Sequence, residues 1–369
     1  MFAVTLGCGD GPEASDPHAG TGGASSNTYF GSATTGGAQA AATSTGGAAT
    51  GGAATGGSTA CTAVDAINPD QRPSISFEHY HSLAEMQTYF SSVATSLPAV
   101  AKYQVLGQSV QGRDLFYLVI NATCQDNPPA FLGIATHHGD EKSGSESVLA
   151  TADYLLKQAA IDPVNSLLRR YSVYLLPVMN PDGFEASLRT NANGVDLNRD
   201  YSFPGRDDAS SFKQQETRLV KLLQDSVQFH AAITYHSGAL EVIWPWCYTG
   251  DATTDDAFFA SAGQRSADAM SFTVYQQSYY DYASQGEYID YAYWKNRTLA
   301  ATFEVSLDKT PNADSLTHIV ETTWNGTLAW LQAVSQKDSG VASEPPVVQS
   351  ARPRFPTQTP IDSNGNKLE

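Results

Sequence analysis

Short apolar runs recur between residues 101 and 307, and they are of two kinds. In Ala130-Phe131-Leu132-Gly133-Ile134-Ala135, in Phe229 to Thr234 and in Leu299 to Leu307, apolar side chains follow one another with little interruption. That is the signature of a strand buried on both faces. The runs at 103–108 and 114–120 carry interspersed polar residues, as half-buried strands do. Together the runs predict strands at 103–108, 114–120, 130–136, 171–178, 229–235, 240–245 and 299–306. Helix-period segments predict helices at 83–96, 144–158, 211–225, 254–269 and 313–335. Alternation of this kind predicts one α/β domain, a mixed and mostly parallel sheet with helices on both faces. About 260 residues are involved, enough for a single large core.

Both ends of the chain read differently. From Ala19 to Ala60 the residues are Gly, Ala, Ser and Thr apart from Asn27, Tyr29, Phe30 and Gln39. Such a segment buries too little apolar surface to offset its ordering entropy. Residues 1–75 are therefore expected to form a flexible tether and 76–336 the folded domain. Residues 337–369, with Pro345, Pro346, Pro353, Pro356 and Pro360, form a Pro-rich tail expected to run loosely over the surface. The small residues before Cys8, followed by the tether, resemble the end of a bacterial lipoprotein signal. On that reading translation starts upstream of Met1, the protein is exported and Cys8 carries lipid; the alternative is a cytosolic protein with a stray Cys8.

A net charge of −17 (21 basic against 38 acidic residues) argues against nucleic acid as a partner. No run approaches the ~18 apolar residues of a membrane span. The four cysteines lack C-x-x-C spacing, so a zinc-thiolate site is not expected. In an exported protein Cys61 and Cys124 could pair, with Cys247 as the competing partner.

The chemistry gathers where the buried runs end. His138 and Glu141 directly follow the run that ends at Ala135, and His236 follows the run that ends at Thr234. Two imidazoles and one carboxylate suit zinc and leave a coordination position open, the mark of a catalytic site. The segment Leu188 to Asp200 supplies arginines able to grip a carboxylate with paired hydrogen bonds. Arg206 and Arg218 are read as solvated charges. Glu304 lies inside the run Leu299 to Leu307, where an ionised carboxylate is costly unless it has a partner; it is either a strand-end Glu facing solvent or, in the functional reading, an acceptor of a proton from water.

From about Tyr80 to Val334 the chain resembles the M14 family of zinc carboxypeptidases. Gly107-Gln108-Ser109-Val110-Gln111-Gly112-Arg113 is similar to the family's early hairpin motif, and Glu216-Thr217-Arg218 to its E-T-x-x helix. His236-Ser237-Gly238-Ala239-Leu240 is similar to the third-ligand motif of the N/E branch, and the spacing from Tyr282 to Glu304 is kept without a gap. The resemblance implies an eight-stranded sheet and one zinc ion held by His138, Glu141 and His236. It implies Glu304 as general base to a zinc-activated water and Arg189 facing the oxyanion. Asn198, Arg199 and Tyr282 would hold the substrate's terminal carboxylate, and Ile289 would line the side-chain pocket. Asp196 would fix the tautomer of His138. The N/E branch's C-terminal β-sandwich is not expected here.

The implied activity is hydrolysis of the C-terminal peptide bond of peptides or proteins by a monomer. In branch members that cut basic residues an acid stands where this chain has Cys247, which with Ile289 favours neutral or aromatic C-terminal residues; Glu287 and Glu241 are nearby acids. Two alternatives remain. One is an amidase of the γ-D-glutamyl–diaminopimelate bond in cell-wall peptides, suggested by Asn191 to Arg199. The other is a non-catalytic, zinc-dependent peptide-binding module.

Overall fold

The structure is a computed structural model that describes residues 63–340 and 358–361. Cys8, Cys61 and the Gly/Ala-rich segment lie outside the described residues. In chain order the elements are helix α1 (Leu83–Ser96), strands β1 (Ala101–Gln108), β2 (Asp114–Ile120) and β3 (Ala130–Ala135), helices α2 (Lys142–Lys157) and α3 (Val164–Arg170), strand β4 (Ser172–Leu176), helices α4 (Pro181–Ala186) and α5 (Gln215–Ser226), strands β5 (Phe229–His236) and β6 (Ala239–Trp244), helix α6 (Asp256–Ala269), strands β7 (Val274–Gln277) and β8 (Tyr282–Ser284), helix α7 (Tyr288–Asn296), strand β9 (Leu299–Ser306), helix α8 (Leu316–Asp338) and strand β10 (Gln358–Ile361).

Eight strands form one mixed sheet in the order β1-β2-β4-β3-β5-β9-β6-β7. The central ladder β4-β3-β5-β9 is parallel, as is β6-β7; β1-β2, β2-β4 and β9-β6 are antiparallel. β8 pairs with β10 in a separate parallel ribbon.

Alternate residues of the central strands feed two apolar cores. Phe131, Ala231, Ile233, Tyr235, Ala301, Phe303 and Val305 point into the larger core, with Phe90 of α1, Leu155 of α2, Phe259 of α6 and Trp330 of α8. Ala130, Leu132, Ile134, Phe229, Ala232 and Ala300 point into the smaller one, with Val220 of α5 and Tyr288, Ile289 and Tyr291 of α7. Both faces are covered, which is why these strands read as near-continuous apolar runs.

Several boundaries differ from the pattern. Val64 and Ile67 are buried in the larger core, so packing begins ahead of residue 76. α5 starts at Gln215, not 211. Asp200 takes the backbone N–H groups of Lys213 and Gln214, both at 2.9 Å, and Phe212 adopts a positive φ of 53°, which holds this stretch out of the helix. Asn180 to Phe184, which reads as a turn, opens the short helix α4, with Asn180 accepting from Gly183 N and Pro181 in the first turn.

Candidate metal centre and its cleft

Parallel pairing brings the carboxyl ends of β3, β5 and β9 to one edge of the sheet, the usual ligand-binding edge of an open α/β fold. His236 and Glu304 are register partners there. β3 leaves the sheet through Thr136, a β-branched residue at φ 63°. That conformation is costly, and it is held by hydrogen bonds from Thr136 Oγ1 to Pro177 O (3.0 Å) and with Ser145 Oγ (2.6 Å). The turn points His138 into the cleft and places Glu141 at the start of α2. Gly139 makes this possible: a Cβ there would stand 2.0 Å from the carbonyl carbon of Gly183.

His138, Glu141 and His236 are all buried, with one potential ligand atom from each within 4.8 Å of the others. Glu141 Oε1 lies 2.8 Å from His138 Nδ1, and Oε2 lies 2.8 Å from His236 Nδ1. The two Nδ1 atoms are 3.2 Å apart. Nitrogen and carboxylate donors facing one another around a single point fit a borderline-soft divalent cation such as zinc. Burial opposes the charge on Glu141, but His138 and His236 outweigh it and hold the carboxyl well below its usual range. Burial keeps His236 below the ordinary histidine value.

Asp196 braces this centre. Its Oδ1 lies 3.1 Å from His138 Nε2, the nitrogen turned away from the cluster, and Arg189 grips its Oδ2 through Nε at 3.0 Å and Nη2 at 2.9 Å. Arg189 Nη1 reaches 3.6 Å from Glu141 Oε1, so its charge lies against the ligand cluster. Glu304 is half-buried, and its Oε2 has no hydrogen-bond partner among the described residues. Burial, with Glu141, Glu241 and Asp281 nearby, pushes its carboxyl well above the usual range.

Next to the His-Glu-His cluster lies a buried arginine cluster, the candidate carboxylate clamp. Arg199 is fully buried and donates to Tyr282 Oη (3.0 Å), Asn198 O (2.8 Å) and Glu287 Oε1 (3.2 Å). Asn198 Nδ2 is 3.5 Å from Glu287 Oε2. Asn198, Arg199 and Tyr282 are thus brought together, and Ile289 lies in the smaller apolar core. Arg206 is not a solvated charge: its Nη2 donates to Arg199 O at 2.7 Å and bonds Tyr201 O, bracing the clamp loop. Arg218 is exposed and caps the carbonyls of Phe212 (3.1 Å) and Lys213 (2.7 Å).

Two residues were not assigned a place by the pattern. Glu287 joins the clamp, although only its nearness in sequence marked it as an acid. His137 is fully buried and stacks on the ring of His236 (centroids 5.5 Å, 12° between planes), held by Thr234 and Tyr201 at 3.1 Å each. The doubled His at a strand end was the available signal. Cys124 is disulfide-bonded and Cys247 is a free, buried thiol, which removes Cys247 as the competing partner. No helix among the described residues is long and apolar enough to cross a membrane.

An open α/β sheet carrying a His-Glu-His cluster at its carboxyl edge, with a lone carboxylate and an arginine clamp beside it, has the architecture of a metallopeptidase. The zinc carboxypeptidase model of the M14 peptidases matches residues 86–326, well over half of the chain, and the protein belongs to that family. Among curated relatives, it is 32% identical over 244 residues to carboxypeptidase SOL1 of Arabidopsis thaliana (60% of this chain, 49% of the relative). It is 33% identical over 181 residues to carboxypeptidase M of Mus musculus (45% of this chain, 40% of the relative). The chain spans about half or less of the length of these relatives. The fold is shared with the crystal structures of carboxypeptidase A from Helicoverpa armigera (TM-score 0.65, 20% identity, 76% of this chain and 79% of that one) and of thrombin activatable fibrinolysis inhibitor (TM-score 0.65, 18% identity, 74% and 80%).

Proposed function

We propose that this protein is a metallocarboxypeptidase that removes the C-terminal residue of peptides or proteins with one zinc ion held by His138, Glu141 and His236. The observation that carries the reading is the adjacency of that ligand set to both a half-buried carboxylate, Glu304, and a buried arginine clamp. A purely structural metal site needs neither.

Bound zinc supplies Lewis-acid polarisation of the scissile carbonyl and makes a water more acidic. The remaining work falls to the chain. Glu304 accepts the water proton at Oε2, which has no partner among the described residues and which burial and like-charged neighbours make a stronger base than a solvent-exposed Glu, and returns it to the departing amine. Arg189, fixed by Asp196, shares the negative charge that develops on the carbonyl oxygen; an oxyanion donor of this kind contributes roughly 2.7–4 kcal/mol to the barrier. Asn198, Arg199 and Tyr282 hold the free carboxylate and so restrict cleavage to the last bond. The Cys124 disulfide supports an exported protein, because such bonds persist in oxidising compartments.

The test is a peptide supplied as free acid and as C-terminal amide, incubated with the zinc-loaded full chain and read by mass spectrometry. Loss of one residue from the acid form alone is expected. Cleavage within the peptide, or equal cleavage of the amide, would overturn the reading. Cell-wall muropeptides run in parallel test the amidase alternative.

A further inference from the structure

The two histidines of the candidate ligand set are held differently. His138 turns its outer nitrogen, Nε2, to Asp196 Oδ1 at 3.1 Å. His236 presents Nδ1 to the cluster, 2.8 Å from Glu141 Oε2, while its Nε2 is buried with no hydrogen-bond partner among the described residues. A metal-bound imidazole ordinarily donates its second N–H to a carboxylate, a carbonyl or water, and that bond fixes the orientation of the ring. Among the described residues, His236 has no such brace.

What lies against it is His137. Neighbouring residues of an extended strand point to opposite faces, but β3 ends at Ala135 and Thr136 has a φ of 63°. His137 and His138 consequently both reach His236. His138 meets it edge-on, with ring centroids 4.8 Å apart and planes at 66°. His137 lies nearly parallel to it, at 5.5 Å and 12°. That is an offset stack, in which the face of one ring opposes tilting of the other.

His137 is itself firmly held. It is fully buried, with Nδ1 3.1 Å from Thr234 Oγ1 and Nε2 3.1 Å from Tyr201 Oη. A hydroxyl can donate or accept, so this pair satisfies both ring nitrogens of a neutral imidazole. Thr234 stands two residues before His236 on β5, so one strand carries both the ligand and an anchor of the ring stacked on it. The rings of Tyr288 (5.7 Å) and Tyr201 (5.8 Å) pack against His137 as well. A leucine would fill this volume without calling for either hydroxyl. Two hydrogen bonds, one to each ring nitrogen, fix the plane of His137, and stacking passes that plane on to His236.

We infer that His137 is a positioning residue for the metal centre, which sets the ring plane of His236 by stacking and replaces the hydrogen-bonded brace that Asp196 gives His138. The inference rests on the reading of His138, Glu141 and His236 as zinc ligands; His137 is not itself a ligand.

The experiment compares His137→Leu with His137→Phe in the full chain. Both lose the two hydrogen bonds, and only Phe keeps a flat ring to stack on His236. Zinc affinity is measured by competition with a chromogenic chelator, the geometry of the centre by the visible spectrum of the cobalt-substituted protein, and folding by thermal denaturation of the metal-free variants. His137→Leu is expected to bind zinc about 10–100-fold more weakly than the wild type and to alter the cobalt bands. His137→Phe is expected to bind about tenfold more tightly than His137→Leu, with bands returned toward those of the wild type. A merely structural role lowers the metal-free Tm of the variants but gives Leu and Phe the same zinc affinity and the same cobalt spectrum; that result overturns the inference. Should His137→Leu fail to fold, Thr234→Val combined with Tyr201→Phe leaves the stacked ring but removes both its anchors. A fall of about tenfold in zinc affinity is then expected, and an unchanged affinity overturns the inference. A wild type that takes up no zinc overturns the ligand reading as well, whereas a zinc-binding wild type with indifferent variants overturns the role of His137 alone.

Discussion

Glu241 and Glu304 face each other as register partners across the antiparallel β6–β9 pair, so the proposed base has a second carboxylate beside it on the same face of the sheet. Burial, together with Asp281 and Glu287, lifts the Glu241 carboxyl to about 8, and Glu241 in turn helps to raise Glu304. Replacing Glu241 with Gln removes a like charge, which lowers the Glu304 value. A base works deprotonated, so the acid limb of the kcat/KM–pH profile should move to lower pH. An unmoved limb would mean that Glu241 does not couple to the base.

Asp196 joins His138 to Arg189, and its effect should be visible in metal binding alone. Asp196→Asn keeps the volume but removes the charge that orients His138 Nε2. Zinc affinity, measured by competition with a chromogenic chelator, should fall by about 10–100-fold.

Gly139 tests the packing of the ligand turn. Gly139→Ala places a methyl against backbone, 2.0 Å from Gly183 C and 2.4 Å from Gly183 O and Phe184 N, so the main chain itself must shift. Overpacking of this kind costs about 1–3 kcal/mol. Thermal denaturation should show a lowered Tm, and zinc retention should fall with it.

His81, just ahead of α1, and Glu146 of α2 form a buried pair, with Nδ1–Oε2 2.8 Å. Burial opposes the imidazolium, but Glu146 outweighs it and raises His81 above its ordinary 6.5. The stabilisation is full below the unfolded value and is lost as pH rises through the raised folded value. The Tm of the wild type should therefore fall over that window relative to His81→Gln. Parallel Tm–pH curves would contradict the linkage.

What the sequence makes legible follows from burial. β3, β5 and β9 are covered on both faces, so their apolar runs stand out, and the candidate ligands and Glu304 fall where those runs end or turn polar. α7 was missed because Tyr288 to Asn296 is rich in aromatics, which suit strands as well as helices. β7, only Val274–Gln277, lies at a sheet edge, and α3 is only seven residues long. Glu287 could be noted as an acid, but its contact with Arg199 depends on α7 folding back across 88 residues of chain. No local pattern encodes that approach.

The most direct test is the turnover of Glu304→Gln protein whose zinc content has been measured. The ligands His138, Glu141 and His236 are untouched, so one zinc per chain should remain, while kcat on a free-acid peptide falls by about 10²–10⁴-fold. Full zinc occupancy with near-wild-type turnover would remove Glu304 from the reaction and contradict the account.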